Sequence, residues 1–542
     1  MFFQSVNPFN TPYKMIKKLG FLAFLSGMPL LVLSTAFRTP ETFNFLTDST
    51  SKVVPTRVLN IGSRLELFVD DYLIENLKGG ARLDLHHPTP KEIVIIHDKP
   101  WEGSGSGYHS VFKDGNKYRM YYKAWQHSAS SDLSNSHPLF CAYAESNDGI
   151  TWTKPNLGLY EFNGSKDNNI VFISGKVGDF NVNAGHPAVF KDENPNVPSN
   201  ALYKAILISN GKPGLIAFKS PDGIHWSLMS DKPIIKDGAF DSQNLAFWDS
   251  FRKEYRAYWR YFTKGKGDSI YVGNRAIRTA TSLDFLNWKE QTNIEYVDSP
   301  EEQLYTNQIK PYYRAPHLLI GFPARYVDRG WSESMKVLPE MEEREKRASI
   351  SERYGTALTE SLFMVSRDGK VFNRWNEAFL RPGIERKGTW TYGDQYIGWH
   401  VVETKSDTEG APNELSLYAT ESYWKGKSSA LRRYTLRLDG FVSIKAPMSG
   451  GELLTKPLTF RGNNLVLNFS SSAAGGIQIE IQDENGKPVP GFTLQDCPPI
   501  FGDTIERKVL WKNGSDLSSL EGKPIRLRFV LRDADIFSFR FR

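Results

Sequence analysis

Cysteine and histidine are both scarce in this chain. The 542 residues include two cysteines and ten histidines. Cys141 and Cys497 lie far apart in the sequence and are expected in different domains, so the core, not a disulfide, is expected to hold the fold; a bridge between them is the alternative. Two cysteines without clustered histidines also argue against a structural zinc site, and no metal ligands are predicted.

The chain also lacks a long run of charge of one sign. Lys and Arg number 67 against 61 Asp and Glu, which gives a formal net charge of +6. Because the basic residues are spread along the chain, no nucleic-acid partner is expected, and only a mild attraction to anionic glycans is compatible with this charge. The sequence leaves the oligomeric state open.

A long apolar stretch occurs only at the N-terminus. Lys14, Lys17 and Lys18 precede an apolar run at 19–33, and small residues follow at 34–36. Basic, apolar and small residues in this order are typical of a secretory signal peptide, which is predicted for residues 1–36, with a linker at 37–60. The protein is therefore expected to be secreted or periplasmic, with no membrane contact beyond this segment. An uncleaved N-terminal anchor is the alternative.

Aromatic residues are abundant, and a short phrase that contains one recurs four times. It consists of a serine, an aspartate two residues later, and an aromatic residue six positions after the serine. The copies are Ser146-Asp148-Gly149-Trp152, Ser220-Asp222-Gly223-Trp226, Ser282-Asp284-Phe285-Trp288 and Ser366-Asp368-Gly369-Phe372. Their spacing, roughly 60 to 85 residues, suits a propeller blade of four strands with one long loop. The aspartates are expected to cap turns at the blade periphery, away from any chemistry.

The strand pattern predicts five such units between residues 61 and 446. Alternation around the turn Asp114-Gly115 is a strong hairpin signal in the first unit. Residues 65–96 are expected to supply strands that close the ring, and six blades is the alternative count. Alternating apolar residues after Pro447 predict a second domain. The predicted fold is all-β: a five-bladed β-propeller (61–446) followed by a C-terminal β-sandwich (447–542).

A charged segment interrupts the fourth unit. Residues 332–349 include the run Glu342-Glu343-Arg344-Glu345-Lys346-Arg347 and predict a helical insertion. The insertion is either a solvated surface helix or a lid beside a pocket, because the long loops of a propeller gather at its ends.

Polar side chains at the start of the inner strands are expected to converge at one mouth of the ring. Four carboxylates are the catalytic candidates: Glu102, Asp241, Glu360 and Asp394. Glycosidic cleavage needs a protonated carboxyl group that gives the leaving oxygen a proton, and an ionised one that attacks the anomeric carbon or activates water. Mutual repulsion and burial separate the pKa values of such groups.

A second set of residues is predicted to bind the substrate. Aromatic rings stack on sugar faces, arginines pair with a uronate or a sulfate, and histidines hydrogen-bond to sugar hydroxyls. The candidates are Trp101, Tyr108, His109, His186, Arg325, Arg329, Trp331 and Trp390. Ordinary ion pairs for the arginines and structural roles for the histidines are the alternatives.

The blade phrase Ser-x-Asp-Gly-x-x-Trp, the count of five and the trailing β-sandwich resemble the five-bladed propeller glycoside hydrolases of families 32, 43 and 68 and their relatives. The resemblance covers nearly the whole mature chain and implies a divergent glycosidase with a carbohydrate substrate and no cofactor; a calcium ion in the central channel, as in some relatives, is a further option that it implies. Those families place Asp, Asp and Glu on the first three blades. This chain has Glu102 or His109, then His186, on the first two inner strands, so the family's carboxylates are not carried over. The segments Trp-Met-Asn-Asp-Pro and Arg-Asp-Pro are absent, which disfavours sucrose or fructan.

Three other functions stay open at this point. A non-catalytic glycan-binding propeller would present aromatic rings and arginines at the mouth without paired carboxylates. A sialidase-like hydrolase would need three clustered arginines and a tyrosine nucleophile. A phosphorolytic enzyme would bind phosphate near Arg325.

Overall fold

The computed structural model describes residues 57–126, 137–210, 212–267, 269–424 and 429–542. The predicted signal peptide (1–36) and nearly all of the predicted linker lie outside the described residues. Residues 56–542 form one compact unit. Within the described part of the chain, no helix has the length and apolar composition needed to cross a membrane.

The strands that precede the ring belong to two different sheets. Four of them join the sheet formed by the C-terminal part of the chain, and the fifth joins the last blade. They are β1 (Leu59–Gly62), β2 (Glu66–Leu67), β3 (Ile74–Gly79), β4 (Arg82–Leu85) and β5 (Thr89–Ile96).

Five separate sheets, antiparallel except for one strand of blade 4, form the blades of the predicted β-propeller. Blade 1 contains β6 (Gly107–Asp114), β7 (Lys117–Ala124), β8 (Phe140–Ser146), β9 (Trp152–Thr153) and β10 (Ile170–Ile173). Blade 2 contains β11 (Gly175–Val177), β12 (Phe180–Lys191), β13 (Tyr203–Ser209), β14 (Gly214–Ser220) and β15 (Ser227–Leu228), and blade 3 contains β16 (Leu245–Asp249), β17 (Glu254–Phe262), β18 (Arg275–Ser282) and β19 (Trp288–Asn293).

Blades 4 and 5 complete the ring. Blade 4 contains β20 (Glu295–Val297), which pairs in parallel with the outer strand, then β21 (Lys310–Tyr312), β22 (Ala315–Gly321), β25 (Met364–Ser366) and β26 (Val371–Arg374), and it carries the hairpin of β23 (Ala324–Asp328) and β24 (Ala357–Ser361). Blade 5 contains β27 (Val402–Thr404), β28 (Glu414–Glu421) and β29 (Ala430–Arg437). Strand β5 pairs with β29 as its fourth strand, so the ring is closed by an N-terminal segment, as predicted.

The recurring phrase forms the same turn in each of its four copies. The serine hydroxyl donates to the aspartate Oδ1 at 2.8 to 3.0 Å, and that oxygen accepts two backbone N–H groups from the residues that follow. The glycines have φ angles of 76° to 81°, and Phe285 adopts the same left-handed conformation at 71°. The aspartates therefore have the structural role that the sequence predicted for them.

These turns also hold neighbouring blades together. A tyrosine from the second strand of one blade donates its hydroxyl to the glycine carbonyl in the turn of the next blade. The pairs are Tyr121 with Gly223, Tyr258 with Gly369, and Tyr418 with Gly149. The last pair joins blade 5 to blade 1 and so reinforces the closure of the ring.

Hydrogen bonds donated by two glutamine side chains, Gln243 and Gln308, link all five blades at the ring axis. Gln243 of the blade 3 inner segment donates to the carbonyls of Tyr108 and Pro187, at 2.9 and 2.8 Å. Gln308 donates to the Gln243 Oε1 at 2.8 Å and to the carbonyl of Ile397 at 2.9 Å. Both glutamines are buried, so side-chain amides occupy the central channel at this level.

The C-terminal part of the chain folds into a ten-stranded sheet around its own core. Its strands after the ring are β30 (Val442–Ala446), β31 (Gly451–Thr455), β32 (Leu458–Phe460), β33 (Leu465–Asp483), β34 (Asp503–Lys508) and β35 (Ile525–Phe541). β35 pairs with β33 along one edge and with β2, β30, β31 and β32 along the other. Cys497 is buried here and Cys141 is buried in blade 1, and both are free thiols in the structure.

The boundary between the two domains differs from the expected one. The prediction began the propeller at residue 61 and the second domain at 447. In the structure β1–β4 and β30 lie in the C-terminal sheet, because residues such as Ile61, Phe68 and Leu73 are buried in that core. The second domain is therefore assembled from both ends of the described chain.

The predicted insertion is helical and packs over one end of the ring. It contains α1 (Glu333–Lys336), α2 (Met341–Ala348) and α3 (Glu352–Thr356), between β23 and β24. Two arginines of α2 are 2% and 1% exposed. Arg344 donates to the carbonyl of Trp390 at 2.7 Å, and Arg347 to the carbonyl of Tyr423 at 2.9 Å. The segment is thus a lid fixed to the loops of blade 5, not a solvated surface helix.

Candidate active site

Tyrosine rings cluster beneath the lid, at one mouth of the ring. We call this cluster the tyrosine mouth and define it as Tyr108, Tyr305, Tyr326, Tyr392, Tyr396, Tyr423 and Trp424. Blades 1, 4 and 5 supply its members, and blades 2 and 3 supply His186 and Asp241 beside it. The hydroxyls of Tyr305 and Tyr392 are 2.9 Å apart, and the ring of Tyr108 lies 5.1 Å from that of His186. Of the predicted binding residues, Tyr108 and His186 lie here.

Asp241 is an exposed carboxylate at the edge of this cluster. Its side chain is 61% exposed, and its Oδ1 lies 3.3 Å from Nε2 of the buried His186. Nη2 of Arg260 lies 3.9 Å from the other oxygen. The hydrogen bond with His186 lowers the pKa of Asp241, and so does the charge of Arg260. Burial acts in the opposite direction but is outweighed. Asp241 is therefore ionised at neutral pH, beside a cavity of about 810 Å³ that Phe240 and Tyr271 also line.

Lys123 is a buried amine in the same cluster. Its Nζ donates to the Tyr423 hydroxyl and lies 4.8 Å from the centre of the Tyr108 ring and 5.2 Å from that of Trp125. Burial lowers the pKa of Lys123 to about 7, although the charge of Asp241 favours the protonated form. Sequence reasoning missed this residue. Its only signal is a lysine between aromatic residues in a buried strand.

Three arginines face the tyrosine rings, and sequence reasoning missed all of them. The guanidinium carbons of Arg260 and Arg275 lie 4.9 and 5.1 Å from the centre of the Tyr305 ring. Arg353, on the lid helix α3, lies 5.5 Å from the centre of the Tyr392 ring. The mouth is therefore rich in cations. The sequence predicted Arg325 and Arg329 in this role and not Arg260, Arg275 and Arg353.

Asp394 is a fully buried carboxyl below Tyr423. It accepts the backbone N–H of Tyr423 at 3.0 Å and the hydroxyl of Thr391 at 2.7 Å, while its own carbonyl accepts from Thr359. Burial raises the pKa of Asp394 to about 7 against these hydrogen bonds. The pKa values of Asp241 and Asp394 are thus shifted in opposite directions. Tyr423 accepts a hydrogen bond from Lys123 at its hydroxyl and donates its backbone N–H to Asp394.

Glu102 and Glu360, the other two carboxylate candidates, are in ion pairs outside the tyrosine mouth. Glu102 is buried against Lys154 at 2.7 Å and accepts the Tyr122 hydroxyl at 2.6 Å; burial raises its pKa. Glu360 lies opposite Arg325 in the β23–β24 hairpin, and Arg325 Nε donates to it at 2.9 Å. Strand alternation turns Glu360 away from the face on which Thr359 contacts Asp394.

Arg325 does not offer a free cation for phosphate or uronate. It also donates to Glu302 at 2.8 Å, so two carboxylates occupy its guanidinium. A bound anion would have to displace one of them. The phosphorolytic alternative therefore gains no support from this residue.

The remaining binding candidates lie apart from the tyrosine rings. Trp101 donates to Asn169 at 2.7 Å inside blade 1. His109 Nε2 lies 3.1 Å from Nε2 of His97, and burial lowers the pKa of His109 to about 3. Trp390 donates to the carbonyl of Gly383 at 2.9 Å. Arg329 is exposed and Trp331 half-buried at the start of the lid.

One group of three potential metal ligands occurs among the described residues. Asp84, His86 and Asp535 place their ligand atoms within 4.8 Å of one another. The group lies in the C-terminal sheet, and Asp84 already pairs with Lys445 at 3.0 Å. The calcium ion implied for the central channel stays a prediction.

No protein-family model matches the chain, and no curated protein does. Solved structures do match. The Bacillus subtilis family 43 arabinoxylan arabinofuranohydrolase, in complex with cellotetraose, is 12% identical over 81% of this chain and 96% of its own, with a TM-score of 0.39. The N-acetylgalactosamine deacetylase from F. plautii, in complex with blood group B trisaccharide, is 11% identical over 65% of this chain and 94% of its own, with a TM-score of 0.40.

The protein BT0996, in a complex with RGII, is 11% identical over 64% of this chain and 92% of its own, with a TM-score of 0.42. Glycoside hydrolases therefore occur among the matching structures. At this level of similarity the matches assign no activity to the chain.

Proposed function

We propose that the protein is a glycoside hydrolase that cleaves an oligosaccharide or polysaccharide at the tyrosine mouth. The observation that carries this proposal is Asp241: an exposed carboxylate, kept ionised by His186 and Arg260, at the junction of a cavity and a cluster of aromatic rings. The ring of Tyr271, which is 57% exposed in the same cavity, can stack on a sugar face, and an ionised carboxylate can activate water or attack the anomeric carbon.

Asp394 is assigned as the second carboxyl group. A pKa of about 7 leaves it largely protonated in mildly acidic solution, which suits a group that gives a proton to the leaving oxygen. One carboxyl oxygen of Asp394 accepts a hydrogen bond from the Thr391 hydroxyl, and the other accepts one from the backbone N–H of Tyr423. Because Asp394 is buried, proton transfer to a substrate requires the turn at Tyr423, to whose carbonyl the lid residue Arg347 donates, to open.

Export is part of the proposal. The basic, apolar and small residues at 1–36 support a secreted or periplasmic location. Expression of the full chain followed by cell fractionation and N-terminal sequencing tests this. Cleavage near Ala36 would support export, and an intact N-terminus in the cytoplasm would overturn it.

A sialidase-like hydrolase is the second candidate, and one observation favours it. Three arginines surround Tyr305 and Tyr392, whose hydroxyls are in contact. Burial, however, raises the pKa of Tyr392, which disfavours a phenolate nucleophile there. Loss of turnover in Tyr305→Phe and not in Asp241→Asn would select this candidate.

The test of the main proposal is a screen of the purified chain against defined acidic, neutral and sulfated polysaccharides, with release of reducing ends as the readout. Turnover of a defined glycan that Asp241→Asn abolishes supports the proposal. Binding of glycans without release of sugar would select the non-catalytic alternative instead.

A further inference from the structure

Two guanidinium groups share the rings of blades 3 and 4 at the tyrosine mouth. Arg260 and Arg275 lie 4.9 and 5.1 Å from the centre of the Tyr305 ring, and 5.5 and 5.3 Å from that of Phe262. They come from the adjacent strands β17 and β18, near the ends that face the mouth. Two positive charges are thus held close together, and the carboxylate of Asp241 lies 3.9 Å from Arg260.

Arg275 has no carboxylate partner in the part of the chain that the structure describes. Its Nη1 donates to the neutral amide oxygen of Gln303, and its Nε is buried with no hydrogen-bond acceptor. Arg278, three residues further along the same strand, shows the contrast, because it pairs with Asp237 at 2.7 Å. A buried N–H donor of a charged group without an acceptor is costly, so an acceptor is expected from outside the chain.

Arg353 repeats this pattern from the lid. Its Nη2 donates to the Tyr354 hydroxyl at 3.3 Å, while its Nη1 is buried and unpaired. Its guanidinium carbon lies 5.5 Å from the centre of the Tyr392 ring, and that ring lies 5.9 Å from the ring of Tyr326. Arg275 stacks on the same Tyr326 ring at 4.4 Å. The two guanidiniums with unpaired N–H groups therefore border one patch of tyrosine rings.

We infer that the tyrosine mouth binds a sugar that carries a carboxylate group, a uronic acid residue of the glycan, with Arg275 and Arg353 as its anion partners. The inference rests on the proposed glycan-binding function of the mouth. A carboxylate has two oxygens that match the fork of N–H donors of a guanidinium. Asp241, 3.9 Å from Arg260, is left to interact with the glycosidic bond and not with the sugar's charge.

The test measures binding of monosaccharides, which contain no glycosidic bond, so it is independent of turnover. Isothermal titration of the purified full chain compares D-galacturonate and D-glucuronate with D-galactose, D-glucose and galactose 6-sulfate. We expect one of the uronates to bind at least about tenfold more tightly than its neutral counterpart, as the loss of a charge-assisted hydrogen bond implies. Arg275→Met is expected to remove this preference.

Arg278→Met is the matched control, since it removes an arginine from the same strand that has its own carboxylate, and it should keep the preference. Thermal melting with and without the uronate gives a second readout: the uronate should raise the melting temperature of the wild type and not of Arg275→Met. Equal binding of uronate and neutral sugar, an unchanged preference in Arg275→Met, tighter binding of the sulfated sugar, or no binding of any uronate would overturn the inference. Failure of the glycosidase proposal would appear separately, as no release of sugar from any glycan of the screen.

Discussion

Nε2 of His186 lies 3.3 Å from Oδ1 of Asp241, although the two residues come from different blades. The buried imidazole supports an exposed carboxylate and is itself disfavoured as a cation, since burial lowers the pKa of His186. The contact stabilises the ionised form of Asp241, because the hydrogen bond with His186 is the largest cause of its lowered pKa. The geometry keeps one carboxylate of the mouth ionised.

Replacing His186 is therefore expected to shift the pH dependence of catalysis. In His186→Ala the pKa of Asp241 should rise, because the contact that favours the carboxylate is lost while Arg260 remains. The acidic limb of the pH profile of kcat/KM should move to higher pH. An acidic limb at the wild-type position would show that Asp241 is not the group that must be ionised.

Asp394 is expected to lower stability at neutral and alkaline pH. Its pKa is about 7 in the folded protein, against an ordinary value of 3.8. Between these values the folded state keeps a proton that the unfolded state loses, so stability falls as pH rises through this window and the penalty is complete above pH 7. Asp394→Asn should raise the free energy of unfolding at pH 8, by a few kcal/mol at about 1.4 kcal/mol per pKa unit, and have little effect at pH 4.

Urea denaturation at the two pH values measures this difference. Asp237→Asn, a change at an exposed aspartate, serves as the control and should show no comparable pH dependence. The same Asp394→Asn protein should lose glycosidase activity by ~10²-fold or more if Asp394 donates the proton. A variant that is stabilised at pH 8 and fully active would separate the two roles and remove Asp394 from the chemistry.

Lys123 should have the opposite effect on the pH dependence of stability: it destabilises the fold at low pH and not at high pH. Its pKa is about 7 when folded, against 10.5 ordinarily. The unfolded state therefore binds the extra proton between pH 7 and 10.5, so the penalty for burying Lys123 is complete below pH 7 and disappears as pH rises towards 10.5. Lys123→Met should stabilise the protein most below pH 7. Lys117→Met, at an exposed position on the same strand, is the control; equal effects in both variants would contradict a lowered pKa.

The repeated turn aspartates should matter for stability and not for activity. Asp284→Ala removes the acceptor of two backbone N–H groups and of the Ser282 hydroxyl. We expect a loss of about 1–2 kcal/mol in the free energy of unfolding, with kcat/KM unchanged. A large loss of activity in a fully folded Asp284→Ala protein would place the turn in the active site and contradict the blade-periphery assignment.

The sequence predicted the ring better than it predicted the site, and the reason lies in strand register. The phrase around Asp148, Asp222 and Asp368 is local, so the blade count could be inferred from it. Glu360 and Thr359 are neighbours on one strand, and only the register shows that Thr359 faces the mouth while Glu360 pairs with Arg325. Hydrophobic alternation alone does not reveal which face is the inner one.

Long-range pairing explains the other differences. β1–β4 have the alternation expected of blade strands, yet they pair with strands more than 350 residues later, which no local pattern indicates. Arg353 reaches the mouth only because the lid folds over it, and Arg275 only because β18 ends beside Tyr305. That Arg275 and Arg353 have no carboxylate partner among the described residues can be seen only from the structure.

The central claim is that Asp241 is the ionised catalytic carboxylate, and a comparison of two isosteric variants tests it most directly. Asp241 and Asp237 are both exposed, line the same cavity and lie beside an arginine, but Asp241 also contacts the buried His186. On a glycan that the wild type hydrolyses, kcat/KM of Asp241→Asn should fall by ~10²–10⁴-fold while Asp237→Asn stays close to the wild type. Equal activity of the two variants would contradict the claim.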